Sequence, residues 1–220
     1  MPEVLLIPAT ILPSNTVFVR RHKPKPVKDY ASFRACLRWD FGFTCAICML
    51  HERDIMDCGI EGWGVMTIEH MVPRAQDPSL LGTYANLLYI CRLCNIARSD
   101  TDVVDMNGRR LLDPTKDVWS EHFRVLNDQL QPLDGDAEYT ADVYRVNEAR
   151  RVKLRRRRRE RTVAWESLFQ QGSATLDALE TLYPRQWIPD DHPRDCRCRG
   201  RSIRCLPDAY LDQAVLFSRP

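Results

Sequence analysis

Two cysteine pairs, CAIC at residues 45–48 and CRLC at residues 91–94, lie on either side of the stretch TIEHMVPRAQDPSLLGTYANLLYI at residues 67–90. Each Cys-x-x-Cys pair allows a tight turn to aim two thiolates at one ion, and two such turns complete a tetrahedral site. The spacing therefore predicts one structural zinc ion, since four thiolates leave no open coordination position for chemistry. A redox-active Cys-x-x-Cys explains one pair but hardly two. The predicted zinc ligands are Cys45, Cys48, Cys91 and Cys94.

A strand, a loop and a short helix are predicted around the second pair. In residues 65–70 the side chains alternate in the manner of a strand, which places Glu69 and His70 on opposite faces unless the strand end twists. A loop follows at residues 74–83, and a short helix is expected to start near Cys94. Together they predict a compact unit of strand, loop and helix between zinc-binding turns.

The dipeptide Glu69-His70 carries the chemistry that this region offers. Histidine is the natural general base near neutral pH, and a carboxylate oxygen suits magnesium or manganese. A lone histidine on a strand is more commonly a hydrogen-bonded core or edge residue. The spacing by itself leaves that alternative open.

The elements CAIC, IEHMVPRA (68–75), NLL (86–88) and CRLCNIAR (91–98) resemble, in that order, the HNH endonucleases of the ββα-metal type. That family has an acidic residue and a histidine followed by proline, then Asn-Leu, then Cys-x-x-Cys followed by histidine or asparagine. The resemblance covers about residues 43–102 and extends more loosely to residues 111–123. It implies an α+β fold with a zinc-stapled ββα-metal, treble-clef-like core and flanking helices.

The resemblance also implies roles for individual residues. His70 would be the general base that deprotonates a water, and Asn86 would hold this histidine and its loop in place. Glu69 and Asn95 would bind a catalytic Mg²⁺ or Mn²⁺ ion. The implied reaction is hydrolysis of DNA to 5′-phosphate and 3′-hydroxyl ends. The expected catalytic and metal-binding residues are Glu69, His70, Asn86 and Asn95, and the expected nucleic-acid contacts are Arg74 and Arg98.

Two positions depart from the commonest family pattern. Glu69 stands where aspartate is more usual, and Asn95 stands where histidine is more usual. Both side chains still offer oxygen ligands to a hard metal ion. Two alternatives stay open: a zinc-stabilised nucleic-acid-binding module without catalysis, and a nuclease effector of a defence or toxin system that needs a partner. Double-strand cleavage would need a homodimer or two successive nicks.

Four regions are predicted along the chain. They are an N-terminal extension with a basic arm (1–28), the HNH core (29–104), a helical, basic extension (105–171), and a C-terminal helix with a Cys-rich tail (172–220). Prolines at positions 24 and 26 make the arm extended, either as a solvated linker or as a segment that follows a phosphate backbone.

Helices are predicted before the first cysteine pair and in the basic extension that follows the HNH core. Apolar spacing predicts a helix from Asp29 to about residue 41, while residues 50–63 look irregular. A further helix is predicted over about residues 140–171. Its run RRRRRER (155–161) is expected to face either solvent or phosphate.

The C-terminal tail contains a second candidate metal site. One histidine and three cysteines lie close together in residues 191–205, and one His with three Cys is an acceptable tetrahedral set for zinc. A flexible tail with free thiols is the alternative. The residues of this candidate second zinc site are His192, Cys196, Cys198 and Cys205.

The composition, 44% hydrophobic and 28% charged, is that of an ordinary soluble protein. Of the 32 basic residues 27 are arginine, which favours phosphate contacts but also follows from a GC-rich genome. No stretch approaches the roughly 20 apolar residues of a membrane helix, and the N-terminal apolar run lacks a basic leader. Nine cysteines in such a chain predict a reducing cytoplasm, with DNA and not a membrane as the partner.

Overall fold

The protein is a mixed α+β structure. The computed structural model describes residues 18, 20, 22–42, 44–56, 66–99 and 101–170, and it gives side chains for all of these except 39, 53, 56 and 161–170. The described residues form six α-helices and two antiparallel two-stranded sheets, which confirms the α+β part of the predicted fold class. The predicted C-terminal helix and the candidate second zinc site lie outside the described residues.

The predicted first helix is present. A 3-10 turn at Tyr30–Phe33 continues into helix α1, Arg34–Asp40. Asp29 caps the turn, since its Oδ1 accepts a hydrogen bond from the amide of Ala31 at 3.2 Å. The cap fixes where the extended N-terminal segment turns into helix.

The region after the first cysteine pair is more regular than predicted. Helix α2 spans Glu52–Met56, within the stretch expected to be irregular. The carboxylate of Asp54 accepts the amide hydrogen of His51 at 3.1 Å, which is the back-reaching bond of a capping box. A cap of this kind stabilises even a short helix when its other face is buried.

A hairpin followed directly by a helix carries the second cysteine pair. Strands β1 (Met66–His70) and β2 (Leu87–Cys91) pair antiparallel, with His70 opposite Leu87. Helix α3 (Arg92–Arg98) follows directly and packs against both strands. Every residue of β2 is buried, whereas the last four residues of β1 are half-buried. The end of β1 is therefore the part of the hairpin that solvent reaches.

The second half of the chain adds a second hairpin and three helices. These elements are α4 (Trp119–His122), β3 (Phe123–Leu126), β4 (Gln129–Pro132), α5 (Gly135–Val143) and α6 (Ala149–Gln170). The single helix predicted over 140–171 is therefore wrong, because residues 144–148 separate α5 from α6. Arg145 has a φ of +49° in this segment, a conformation outside the right-handed α-helix.

One hydrophobic core includes residues from both sides of the predicted boundary at residue 104. Leu37 of α1, Leu88 of β2 and Trp119 of α4 are each fully buried. The rings of Trp119 and Phe123 pack with centroids 5.2 Å apart. Helix α6 contacts helix α2. Elements from both halves of the chain therefore hold the hairpin of β1 and β2 in position.

No helix in the described part of the chain combines the length and the apolar character that crossing a bilayer requires.

Candidate functional site

The four predicted zinc ligands lie together. The sulfur atoms of Cys45, Cys48, Cys91 and Cys94 are all within 4.8 Å of one another. Cys45 and Cys94 are separated by 3.8 Å, as are Cys48 and Cys91. A regular tetrahedron with zinc–sulfur bonds of about 2.3 Å has edges of about 3.8 Å, so the cluster has the size that zinc requires. The four-cysteine prediction is confirmed, and the donor set fits a structural zinc ion.

Local backbone geometry builds each half of this cluster. In the first half, the amide of Cys45 donates to the carbonyl of Leu50 at 2.9 Å, and Met49 turns the chain with a φ of +60°. In the second half, Cys91 precedes α3 and its sulfur accepts the amide hydrogen of Cys94 at 3.4 Å. Helix α3 therefore starts two residues earlier than predicted, because a cysteine side chain caps it.

The four-cysteine cluster is buried away from solvent, and its negative charge requires positive groups nearby. All four cysteines are buried, and burial raises the pKa of Cys94 well above its ordinary value. Burial alone would lower the pKa of the Arg151 guanidinium, but the charges of Cys94, Cys48 and Cys91 outweigh it and raise that pKa. Four thiolates around a divalent ion carry two net negative charges, and buried guanidinium groups compensate such charge.

Arg151 and Arg155 on one face of α6 supply this compensation, whereas Arg158 on the same face pairs with Asp54 at 3.6 Å. Arg151, Arg155 and Arg158 are 0%, 0% and 3% exposed, and their spacings of four and three place them on one side of the helix. Nη1 of Arg158 donates to the carbonyl oxygen of Met49 at 2.7 Å, inside the first zinc-binding turn. The prediction that the arginine run faces solvent or phosphate is therefore wrong for Arg155 and Arg158.

The carboxylate of Glu69 is held by one oxygen only. Its Oε1 accepts hydrogen bonds from Nη1 of Arg98 at 2.7 Å and from the amide of His70 at 3.0 Å. Among the described residues, Oε2 has no hydrogen-bond partner. Burial raises the pKa of Glu69, while the charge of Arg98 and the bond from His70 oppose the rise. The side chain is 13% exposed, so Oε2 is an oxygen donor at the edge of the interior.

Arg98 occupies the interior and not the surface. Its side chain is 0% exposed, and besides Glu69 it donates to the carbonyl oxygens of His70 and, at 2.7 Å, of Met71. The guanidinium therefore fixes the end of β1 to α3. This position corrects the expectation that Arg98 is a nucleic-acid contact, because a phosphate has no access to a buried guanidinium. Arg74, by contrast, is exposed on the loop after β1, where its predicted contact stays a prediction.

The imidazole of His70 is held at two places. Its Nε2 lies 3.0 Å from the carbonyl oxygen of Leu81, and the ring of Tyr30 meets it edge-on with centroids 4.7 Å apart. Because a carbonyl oxygen only accepts hydrogen bonds, Nε2 carries the proton of the neutral ring. Nδ1 is then the unprotonated nitrogen, the atom that can accept a proton.

Asn86 joins the two ends of the loop that follows His70. Its Oδ1 accepts the amide of Val72 at 2.8 Å, and its Nδ2 donates to the carbonyl oxygen of Val72 at 3.0 Å. Its own carbonyl oxygen accepts the amide of Met71 at 2.8 Å. These three bonds fix the chain immediately after the histidine.

Asn95 lies on α3, one turn before Arg98, and is half-buried. Within the described residues its carboxamide has no hydrogen-bond partner. A half-buried amide without a partner is available to a ligand, since such groups are normally satisfied. Helix α3 packs against β1, which brings the side of the helix that bears Asn95 and Arg98 to the strand that bears Glu69.

Two groups that contact His70 could not be identified from the sequence. The carbonyl of Leu81 fixes the tautomer of His70, but any residue supplies a carbonyl. Tyr30 contacts the imidazole across a separation of 40 residues, and its helical spacing predicts only a core position. Contacts of this kind depend on how the N-terminal segment folds over the hairpin.

Comparison with known proteins gives a partial relationship. No family model matches the chain. Septu protein PtuB of Bacillus thuringiensis is 30% identical over 87 residues, which are 40% of this chain. The match spans about a third of that relative, 33% of its length. The chain is thus a partial homologue of Septu protein PtuB.

Proposed function

We propose that this chain is a divalent-metal-dependent DNA endonuclease in which His70 is the general base. The observation that supports the proposal most directly is the environment of the imidazole. Leu81 accepts the hydrogen of Nε2, so Nδ1 is left unprotonated one residue after a carboxylate with an unpaired oxygen. A histidine held in one tautomer at a half-buried strand end is suited to proton transfer.

His70 Nδ1 would take a proton from a water molecule that attacks phosphorus in line with the leaving 3′ oxygen. The bond from Nε2 to the Leu81 carbonyl strengthens as the ring becomes positive, and this stabilises the imidazolium. Tyr30 restricts rotation of the ring, so that Nδ1 keeps its direction. These contacts lower the barrier by orientation and by charge stabilisation.

A hard divalent ion fits the oxygen donors that the site offers. Glu69 Oε2 and the carboxamide oxygen of Asn95 would hold it, with water completing the coordination. When bound, Mg²⁺ or Mn²⁺ stabilises the extra negative charge on the pentacovalent phosphate. Arg98 holds Oε1 of Glu69 and thereby directs Oε2, so its role is to position a metal ligand.

The experiment uses supercoiled plasmid, zinc-loaded protein, and Mg²⁺ or Mn²⁺. The wild type is expected to nick or linearise the plasmid, and His70→Ala is expected to lose roughly 10²–10⁴-fold in rate, the usual contribution of a general base. His122→Ala is the matched control, since His122 bonds to Asp134 in the second half of the chain. Equal cutting by His70→Ala would show that the assigned base is wrong.

A second candidate is a nuclease effector that acts only with a partner protein. The partial homology to Septu protein PtuB favours it, because that similarity is compatible with an effector of a defence system. The test is the same plasmid assay with proteins encoded beside this chain added singly. An inert wild type that cuts after one addition supports this candidate, and an inert wild type under every combination contradicts both.

A further inference from the structure

We propose that residues 23–28, here called the basic arm, bind the phosphates of one DNA strand beside His70. The arm carries three exposed lysines, Lys23, Lys25 and Lys28. The proposal rests on the proposed function, because it assigns the surface that holds DNA at that site.

The arm is fixed at its start by a buried polar cluster. His22 is fully buried, and its Nδ1 lies 2.5 Å from Oδ1 of Asp40. The hydroxyl of Tyr84 donates to the other oxygen of Asp40 at 2.7 Å. Arg20 donates to the carbonyl of Tyr84 at 3.1 Å and lies over its ring, with the guanidinium carbon 5.7 Å from the ring centroid. Arg20 and His22, just before the lysines, therefore pack against the core, and their bonds anchor the start of the arm.

The arm is fixed at its end by the loop after β1. The amide of Val27 donates to the carbonyl of Gly82 at 3.1 Å. The segments around Val27 and Gly82 approach so closely that a Cβ on Gly82 would lie 1.9 Å from the carbonyl oxygen of Val27. Only glycine permits this approach without displacing one of the two segments. Attachment at both ends gives Lys23 and Lys25 a defined path, and Lys28 follows directly after the bonded Val27.

This path passes the catalytic histidine. Gly82 follows Leu81, whose carbonyl accepts the bond from His70 Nε2. Tyr30, whose ring contacts the imidazole at 4.7 Å, comes two residues after Lys28. Two extended residues span at most about 7 Å, so the end of the arm lies next to the general base.

The chemistry of the arm suits a phosphate backbone. Residues 20–28 contain no carboxylate, and Asp29, the first one after them, is bonded to the amide of Ala31. Pro24 and Pro26 hold the chain extended and remove amide donors, so the lysine ammonium groups are the outward donors. Lysine binds phosphate as a point charge without base preference, which agrees with a strand-holding role. Ordering the arm in advance reduces the entropy lost on binding.

The test replaces all three lysines by glutamine, as Lys23→Gln, Lys25→Gln and Lys28→Gln, in the full-length zinc-loaded chain that also carries His70→Ala to prevent cutting. Binding to a short DNA duplex is measured against salt concentration. Each phosphate contact contributes about 0.9 to the slope of log K against log salt, so the slope should fall by roughly 2.7. The affinity at low salt should fall roughly tenfold or more.

The matched control removes three positive charges elsewhere. It carries Lys116→Gln, Arg124→Gln and Lys153→Gln, all of which are exposed and lie outside the arginine run. The control has the same net charge as the arm variant, so a difference between the two isolates the location of the charges. Circular dichroism of each variant checks that the fold is retained.

The outcomes separate the arm from the proposed nuclease activity. A plasmid-cutting wild type whose arm variant binds like the control overturns the phosphate-binding arm and leaves the nuclease proposal intact. A wild type that never cuts, with binding lost only in the arm variant, supports the arm and contradicts the nuclease. Absence of duplex binding by the His70→Ala parent also overturns the arm proposal.

Discussion

Replacing Arg98 by methionine (Arg98→Met) tests whether this residue stabilises the end of β1 or contacts nucleic acid. The guanidinium is fully buried and donates to Oε1 of Glu69 and to the carbonyls of His70 and Met71. Methionine has a similar length and retains the packing, but it donates no hydrogen bond. The variant therefore isolates the loss of charge and hydrogen bonds from the loss of volume.

The expected loss of stability follows from the partners that remain. Removing one member of a buried ion pair costs about 3–5 kcal/mol, since the other charge stays buried without compensation. Two main-chain carbonyls also lose charged donors, each bond being worth about 1.5–3 kcal/mol before the site relaxes. These contributions overlap, and entry of water to the half-buried strand end reduces them. We expect the free energy of unfolding to fall by about 4 kcal/mol, or about 8–16 °C in melting temperature.

The assay is urea unfolding of the zinc-loaded protein followed by far-ultraviolet circular dichroism, at one fixed zinc concentration because zinc binding is coupled to folding. Arg74→Met is the control, because Arg74 is exposed and its replacement should change stability by less than about 0.5 kcal/mol. A loss below about 1 kcal/mol for Arg98→Met, together with a selective loss of DNA affinity, would refute the buried role of Arg98.

Three further predictions follow from the contacts around the site. Cys45→Ser should abolish zinc binding and unfold the core, and elemental analysis of the wild type should find one zinc ion for the four-cysteine cluster, or two if the C-terminal cysteines also bind. Asn86→Ala should destabilise the protein by about 2 kcal/mol because the amide and carbonyl of Val72 lose their partner; a change below about 0.5 kcal/mol in urea unfolding would contradict the loop-joining role. Gly82→Ala should displace the arm at Val27, so trypsin should cleave the Lys28–Asp29 bond at the end of the arm faster than in the wild type, and an unchanged rate at this bond would disprove the close approach.

The parts of the site that were predictable from the sequence are those set by short-range spacing. The four cysteines meet because each pair is a local turn, and the turns join through the bond from the Ala46 amide to the Tyr89 carbonyl at 2.9 Å. The strand that ends at His70 and the helix that contains Asn95 follow from residue alternation and from a cysteine cap. Local patterns of this kind act through neighbouring residues, so the sequence contains them directly.

The errors arise where the direction of a side chain depends on distant packing. Arg98 was expected at a phosphate and is buried, because α3 turns it toward Glu69. Arg155 and Arg158 were expected in solvent or on DNA and are buried, with Arg158 bonded to the first cysteine turn and Arg155 to the carbonyls of Asp128 and Val146. A run of arginines has no hydrophobic pattern that identifies its buried face, and the acceptors that bind the buried members, such as the carbonyls of Asp128 and Met49, lie far away in the sequence.

The sequence by itself determined the four-cysteine cluster, the α+β class and the acid–histidine pair, since each depends on residue types at fixed short spacing. Tertiary structure alone decided the tautomer of His70, the pairing of Glu69 with Arg98 and the course of the basic arm past the histidine. The physical reason is that these features are made by a main-chain carbonyl, a buried cation and a close approach at Gly82. Each acquires its role only when segments distant in the chain pack together.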